Sequence, residues 1–269
     1  MTTATGQLQE TGTRASRRRA GRSAQMLSKV PEVTVYFWII KVLTTGMGEV
    51  TSDYLLRSIN QFVAVGIGGV AFAASLVLQF AARRYVAWVY WTAIVMVSVF
   101  GTMVADALHV VVGIPYIVST PFFLVALAVI LAAWWGVEKT LSIHSIVTRR
   151  REVFYWATVL ATFALGTAAG DLTASTFRMG YFSSGVLFAV VFAVPGLAHW
   201  KLGLGAVPAF WFAYIITRPF GASFADWMGV SHARGGLGWG TGQVALVLTV
   251  VILGLVGFMA VTRKDTERS

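Results

Sequence analysis

The chain has 269 residues, of which 57% are hydrophobic and only 12% charged, and its mean hydropathy is +0.73. A soluble chain carries roughly a quarter charged residues, so a soluble globular domain is excluded and the chain reads as integral to a membrane. Its net charge is +10 and it has no cysteine, which excludes disulfides, thiolate metal sites and haem attachment through cysteine.

Residues 1–29 read as a basic, disordered arm. Its SRRRAGR stretch superficially resembles a twin-arginine signal, but the first apolar run contains Lys41, Glu49 and Asp53 and has no small-residue cleavage site. A helix spans the hydrocarbon with about 20 apolar residues. Eight such stretches follow, at roughly 32–56, 61–81, 86–110, 116–138, 153–177, 182–200, 206–229 and 240–262. Barrel strands are about ten residues long with alternating polarity, so these long continuous runs predict an all-α membrane domain over 30–262, followed by a tail at 263–269.

The first, third, fifth and seventh stretches share a signature. A tryptophan is followed fifteen positions later by an aspartate: Trp38 to Asp53, Trp91 to Asp106, Trp156 to Asp171 and Trp211 to Asp226. An aromatic precedes each Trp, and a glycine (Gly48, Gly101, Gly166, Gly221) lies five before each Asp. The even stretches carry no full charge in their apolar runs. A fixed internal period defines copies of one unit, here a two-helix hairpin, with repeats at about 30–82, 83–138, 150–201 and 206–262. Two spans return the chain to its starting side, so the marked helices run parallel and hold their aspartates at similar depth. Small residues around each Asp suit close helix contact. Helices 1, 3, 5 and 7 are therefore expected inside, with 2, 4, 6 and 8 facing lipid. Closure of that ring within one chain and closure across a homo-oligomer interface both fit the repeats. The longer junction at 139–152 is expected to divide the molecule into halves, and the Gly-rich 235–242 to be a flexible connection. The tryptophans are expected to form an interfacial belt or to pack between helices.

Helix 1 carries a polar stripe. Lys41, Thr44, Thr45, Gly48, Glu49, Ser52 and Asp53 recur at intervals of three and four, along one face. An ionised group at bilayer depth costs about 2.5–3.5 kcal/mol, so the stripe must face protein or water. Thr102 and Thr167 replace Glu49 in the second and third copies, and helix 7 adds Arg218 followed by Pro219. Five acids (Glu49, Asp53, Asp106, Asp171, Asp226) then face two bases (Lys41, Arg218), an excess of three negative charges that protons or bound cations must neutralise. Four histidines are scattered; His109, three residues after Asp106, is a candidate for proton handling. Each Asp lies about 30 Å along its helix from the basic side, so a competing expectation is that the acids sit at hydrated helix ends and merely bind the bundle together.

Lysine and arginine are distributed sixteen to one side and three to the other, with two inside helices. The positive-inside rule predicts cytoplasmic termini, and topology with attraction to anionic lipid accounts for the net charge without nucleic acid.

Four tandem two-helix repeats, each with its tryptophan and a G-x4-D ending (GEVTSD, GTMVAD, GTAAGD, GASFAD), resemble a bacterial membrane-protein family known only as a repeat of unknown function. The resemblance covers about residues 30–262 and implies a bacterial inner membrane and four repeats. It implies no activity. From the chemistry, the expectation is a secondary transporter of a small cation, such as proton-coupled efflux of Mn2+ or Mg2+, since oxygen ligands suit hard ions. The five acids would be ligands or proton carriers, Thr44, Thr45, Thr102 and Thr167 supporting hydroxyls, and Lys41 and Arg218 partners that close the empty site. No catalytic constellation, nucleotide-binding motif or cofactor motif is visible, so no enzyme activity is expected. The alternative is a membrane scaffold whose acids are structural.

Overall fold

The computed structural model describes residues 28–264. Its long helices are α1 (Val35–Ser58), α2 (Gln61–Ala81), α3 (Ala87–Val110), α4 (Tyr116–Glu138), α5 (Arg149–Asp171), α6 (Tyr181–Leu202), α7 (Ala206–Gly229) and α8 (Thr241–Thr262), and no strand occurs among the described residues. Side-chain caps start three of them. Thr34 accepts from the Phe37 amide, Asn60 from those of Phe62 and Val63, and Thr148 from that of Arg151, each filling donors that a helix start leaves unpaired.

Six helices, all but α1 and α7, are long and apolar enough to cross a membrane. The other two have the same 24-residue length as α3 but carry charge within their apolar runs, Lys41, Glu49 and Asp53 in α1 and Arg218 and Asp226 in α7. They are sheltered in an inner ring formed by α1, α3, α5 and α7, in which each helix packs on two neighbours and α7 meets α1. The ring thus closes within one chain. In the most apolar stretch of α5, 72% of residues are buried, against 22% or fewer for α2, α4, α6 and α8, which therefore form the outward face. The protein is an all-α integral membrane protein.

The glycines of the repeat set the ring's geometry. A Cβ on Gly48 would overlap Ser98, on Gly101 Phe163, on Gly166 Arg218 and on Gly221 Thr45. Each glycine receives the side chain eight positions before the aspartate of the next repeat, and the fourth repeat receives the first. Hydroxyls bridge two of these contacts, Ser98 donating to the Thr44 carbonyl at 2.9 Å and Thr45 to that of Thr217 at 3.1 Å.

The outer helices pair differently from their order in the chain. α2 leans chiefly on α3, α4 on α5 and α6 on α7, while α8 returns to α1; α1 and α2 meet only slightly. The two-helix hairpin is therefore a unit of sequence and not of packing. Each outer helix buttresses the repeat that follows it, and α8 latches the last repeat to the first.

Three signature tryptophans pack between helices: Trp91, Trp156 and Trp211 are 1%, 3% and 4% exposed. Among them, the Tyr90 and Tyr155 hydroxyls meet at 2.5 Å, and Trp211 Nε1 donates to the Leu141 carbonyl at 2.9 Å. That carbonyl belongs to the 139–148 junction, whose Ile143 and Ile146 are buried beneath the ring. The junction does not halve the molecule, because α3 packs on α5. The end of the basic arm is docked there too. Lys29 Nζ donates to Glu152 at 2.7 Å and to the Phe80 carbonyl at 3.2 Å, and the Lys29 amide to the Ile146 carbonyl at 3.2 Å. Residues 1–27 of the expected arm and 265–269 of the tail lie outside the described residues. The Gly-rich segment is tied down rather than loose: the amides of Leu237, Gly238, Trp239 and Gly240 donate to carbonyls of Trp227, Val230, Met228 and Gly229. It thereby satisfies acceptors that the end of α7 leaves open.

Candidate functional site

The four aspartates stand at the ends of the inner helices remote from residues 28 and 264. Asp53, Asp106 and Asp226 precede the last residues of α1, α3 and α7 by five, four and three positions, and Asp171 ends α5. A carboxylate in the last turn meets the negative end of the helix dipole, an unfavourable placement worth about 0.3–1 kcal/mol. Helix stability does not account for four such residues in register. After Asp171 the backbone widens into a π turn, Leu172–Thr176, a distortion common at functional sites, which brings Ser175 to a cavity among these helix ends.

Glu49, Asp53, Asp106, Asp171 and Asp226 all line that single cavity, of about 670 Å³. Arg57, Arg234, Tyr116, Tyr181 and His109 share its wall. Arg57 pairs with Asp53 at 2.5 Å, one turn along α1, and Arg234 donates to the Tyr181 hydroxyl at 2.7 Å. The Tyr116 phenol lies beside Asp171, and its ring stacks on His109 with centroids 3.9 Å apart. His109 Nδ1 is 3.0 Å from the Ile114 carbonyl. Asp226 is 6% exposed and Asp106 Oδ2 is buried without a hydrogen-bond partner.

Glu49 marks the deep end. Behind it Arg218, fully buried, donates to Glu49 at 2.5 Å, to Thr167 Oγ1 at 2.7 Å, to Thr102 Oγ1 and to the Thr45 carbonyl at 2.9 Å. Glu49, Thr102 and Thr167 occupy one repeat position, four before the aspartate. One arginine of the fourth repeat thus gathers the equivalent residues of the other three. Beyond it lies Phe163, with the guanidinium 5.4 Å from the ring centroid, and then Lys41, whose Nζ stands 4.0 Å from the Phe163 centroid and 4.2 Å from that of Tyr214. The ring's axis is filled from Glu49 to the tyrosine layer.

This arrangement brings together the five acids and His109 and revises the roles of their expected helpers. Arg218 does pair with an acid, whereas Lys41 does not: it is fully buried, has no hydrogen-bond partner and rests between aromatic faces. Thr102 and Thr167 serve the guanidinium. Thr44 donates to the Lys41 carbonyl at 2.9 Å and Thr45 to that of Val42 at 2.6 Å, and neither lines the cavity. Among the described residues no three Asp, Glu or His side chains are grouped to hold one ion. The acids also sit near helix ends, the placement expected if they were hydrated, although Glu49 lies one turn deeper.

Arg57, Arg234, Tyr116 and Tyr181 belong to the site but escape notice in the sequence. Arg57 was readable as the i+4 partner of Asp53, and both tyrosines fall ten positions after an aspartate. Arg234 carries no such signal, since it reaches the cavity through the folded Gly-rich loop.

A family model described as a Repeat of Unknown Function (DUF347) matches four segments of the chain, residues 36–85, 89–140, 154–203 and 209–265. Neither curated proteins nor solved structures yield a match.

Proposed function

Because the chain belongs to the family of the Repeat of Unknown Function (DUF347), whose name assigns no activity, we propose from the site itself that it is a secondary transporter exchanging a small cation for protons. The observation that carries this reading is the convergence of one carboxylate from each repeat, plus Glu49, on one cavity. Five carboxylates face Arg57 and Arg234 in the wall and Arg218 behind it, an excess of two negative charges that the nearby helix C-termini reinforce. Such a cavity attracts cations and holds protons.

In this reading the Glu49–Arg218 pair is the inner gate. While it stands, the guanidinium ties three repeats together and the axis is closed. Proton or cation binding at Glu49 competes with Arg218 and frees it from Thr102 and Thr167. A hard divalent ion would require the aspartates to draw together around it. We place the protein in a bacterial inner membrane, as the resemblance of its repeats implies, with cytoplasmic termini on the lysine and arginine asymmetry; the cavity then opens to the periplasm. Its partners are membrane lipids and the transported ions, with no role for nucleic acid.

The test is uptake into proteoliposomes driven by a pH gradient. Cation-dependent dissipation of the gradient by wild-type protein, and not by folded Asp171→Asn or Asp226→Asn, is the expected result. One observation favours a scaffold instead: Glu49, Thr102 and Thr167 all hold Arg218 in place. A scaffold predicts that charge removal lowers stability while no cation crosses the bilayer.

A further inference from the structure

Resting on the cation-transport reading, we infer that the cavity takes a monovalent organic cation with an alkyl or aryl body rather than a bare metal ion. Volume is the first argument. About 670 Å³ corresponds to roughly twenty waters at about 30 Å³ each, and falls within the range of small-molecule pockets, about 300–1,000 Å³. A dehydrated Mg2+ or Mn2+ needs close octahedral oxygens, yet among the described residues no three acidic or histidine side chains are grouped to supply them.

The wall is mixed. Leu56, Phe62 and Val65 from the first repeat and Val104, Leu108 and Val111 from the second give it apolar surface among the carboxylates, and the Tyr116 and Tyr181 side chains add aromatic surface. A hydrated metal ion gains nothing from the apolar side chains, whereas a hydrocarbon body is drawn to them by loss of water contact. Two carboxylates await a charge. Asp226, 6% exposed, lines the cavity with a carboxylate that makes no side-chain hydrogen bond or salt bridge to the other described residues, and Asp106 Oδ2 is buried without a hydrogen-bond partner. An unpaired buried carboxylate is costly, and one ammonium group beside it removes that cost without the six-fold coordination a metal demands. Aromatic faces add to the attraction for a substituted ammonium. Phe62 and Val111 are 74% and 46% exposed, Phe62 on the outward α2, so the apolar wall is continuous with the outer surface, where an amphipathic cation accumulates.

The experiment is isothermal titration of the full chain in detergent with three probes: benzyltrimethylammonium, its neutral isostere neopentylbenzene, and Mn2+. Wild type is compared with Asp226→Asn, Asp106→Asn and Val65→Trp, which fills the cavity from an outer helix; circular dichroism and gel filtration establish that each is folded. The expected result is saturable binding of benzyltrimethylammonium alone, weakened about tenfold or more in Val65→Trp and in whichever Asn variants fold. Binding of Mn2+ without benzyltrimethylammonium overturns the organic-cation inference and leaves cation transport standing. Equal binding of neopentylbenzene overturns recognition by charge. No binding of either cation to folded wild type overturns both readings.

Discussion

Arg218 on α7 reaches Glu49 on α1 at 2.5 Å while also holding Thr102 of α3 and Thr167 of α5, so one guanidinium touches every helix of the inner ring. Both partners are buried, with side-chain exposures of 0% and 5%. Removing one member of a buried pair leaves an uncompensated charge and costs about 3–5 kcal/mol, whereas replacing both with apolar groups of similar size is often neutral. Glu49→Leu or Arg218→Met alone is expected to lower stability by that amount, and the double substitution to recover most of it. Thermal unfolding of the four proteins in one detergent, read as a double-mutant cycle, checks this; additive losses would show that the pair is not coupled.

The interlocking glycines make a second expectation. Gly166→Ala forces a Cβ into Arg218, and Gly48→Ala forces one into Ser98. Overpacking of this kind costs about 1–3 kcal/mol. Gly196→Ala on α6 meets nothing within 4 Å and is expected to be neutral or to raise the melting temperature slightly, since alanine favours the helix. Equal effects at all three positions would contradict the ring packing.

Lys41 presents an unpaired amine between the rings of Phe163 and Tyr214. Methionine matches its length without the polar group. Lys41→Met is expected to raise stability by on the order of 1 kcal/mol, measured as an increased melting temperature. A loss of several degrees would mean that the two cation–π contacts outweigh the burial cost.

Topology is directly accessible because the chain has no cysteine. A single cysteine at Gln61, on the cavity's rim, is expected to react with an impermeant maleimide added to intact spheroplasts. One at Lys201, at the opposite end of α6, is expected to react only after lysis. The reverse pattern would put the cavity on the cytoplasmic side and invert the direction of the proposed exchange.

A fifth expectation concerns the docked segment before α1. Lys29 and Glu152 are joined at 2.7 Å with side-chain exposures of 10% and 1%, and Gln79 donates to both Glu152 and the Lys29 carbonyl. Glu152→Gln is expected to destabilise by about 3 kcal/mol or more, because Lys29 loses its counter-charge. Limited proteolysis before α1 should then quicken; an unchanged cleavage rate would show that the segment is held by its backbone bonds.

How far sequence alone reaches is clear from particular residues. Helix number, inner and outer sets and the common register of four aspartates were all legible, because apolar periodicity and a fixed repeat are properties of local order along the chain. The function of Gly48, Gly101, Gly166 and Gly221 was half legible: their spacing marked a close contact, while the side chain each one admits belongs to a different repeat. Arg218 was visible as a buried cation, but its choice of Glu49 over the aspartates was not. Nothing in the local sequence distinguished Lys41, which meets no acid, from Arg218, which does.

Sequence by itself determined a four-repeat membrane protein with an acid at the same station in every copy, since burial pattern and charge asymmetry act segment by segment. Tertiary structure alone decided that α8 closes on α1, that Arg234 enters the acid cavity, that the threonines serve an arginine, and that the carboxylates line one roomy chamber. Those outcomes depend on how helices distant in the chain are turned toward one another about the ring axis. That rotation is set by glycine contacts between different repeats, which no single segment contains.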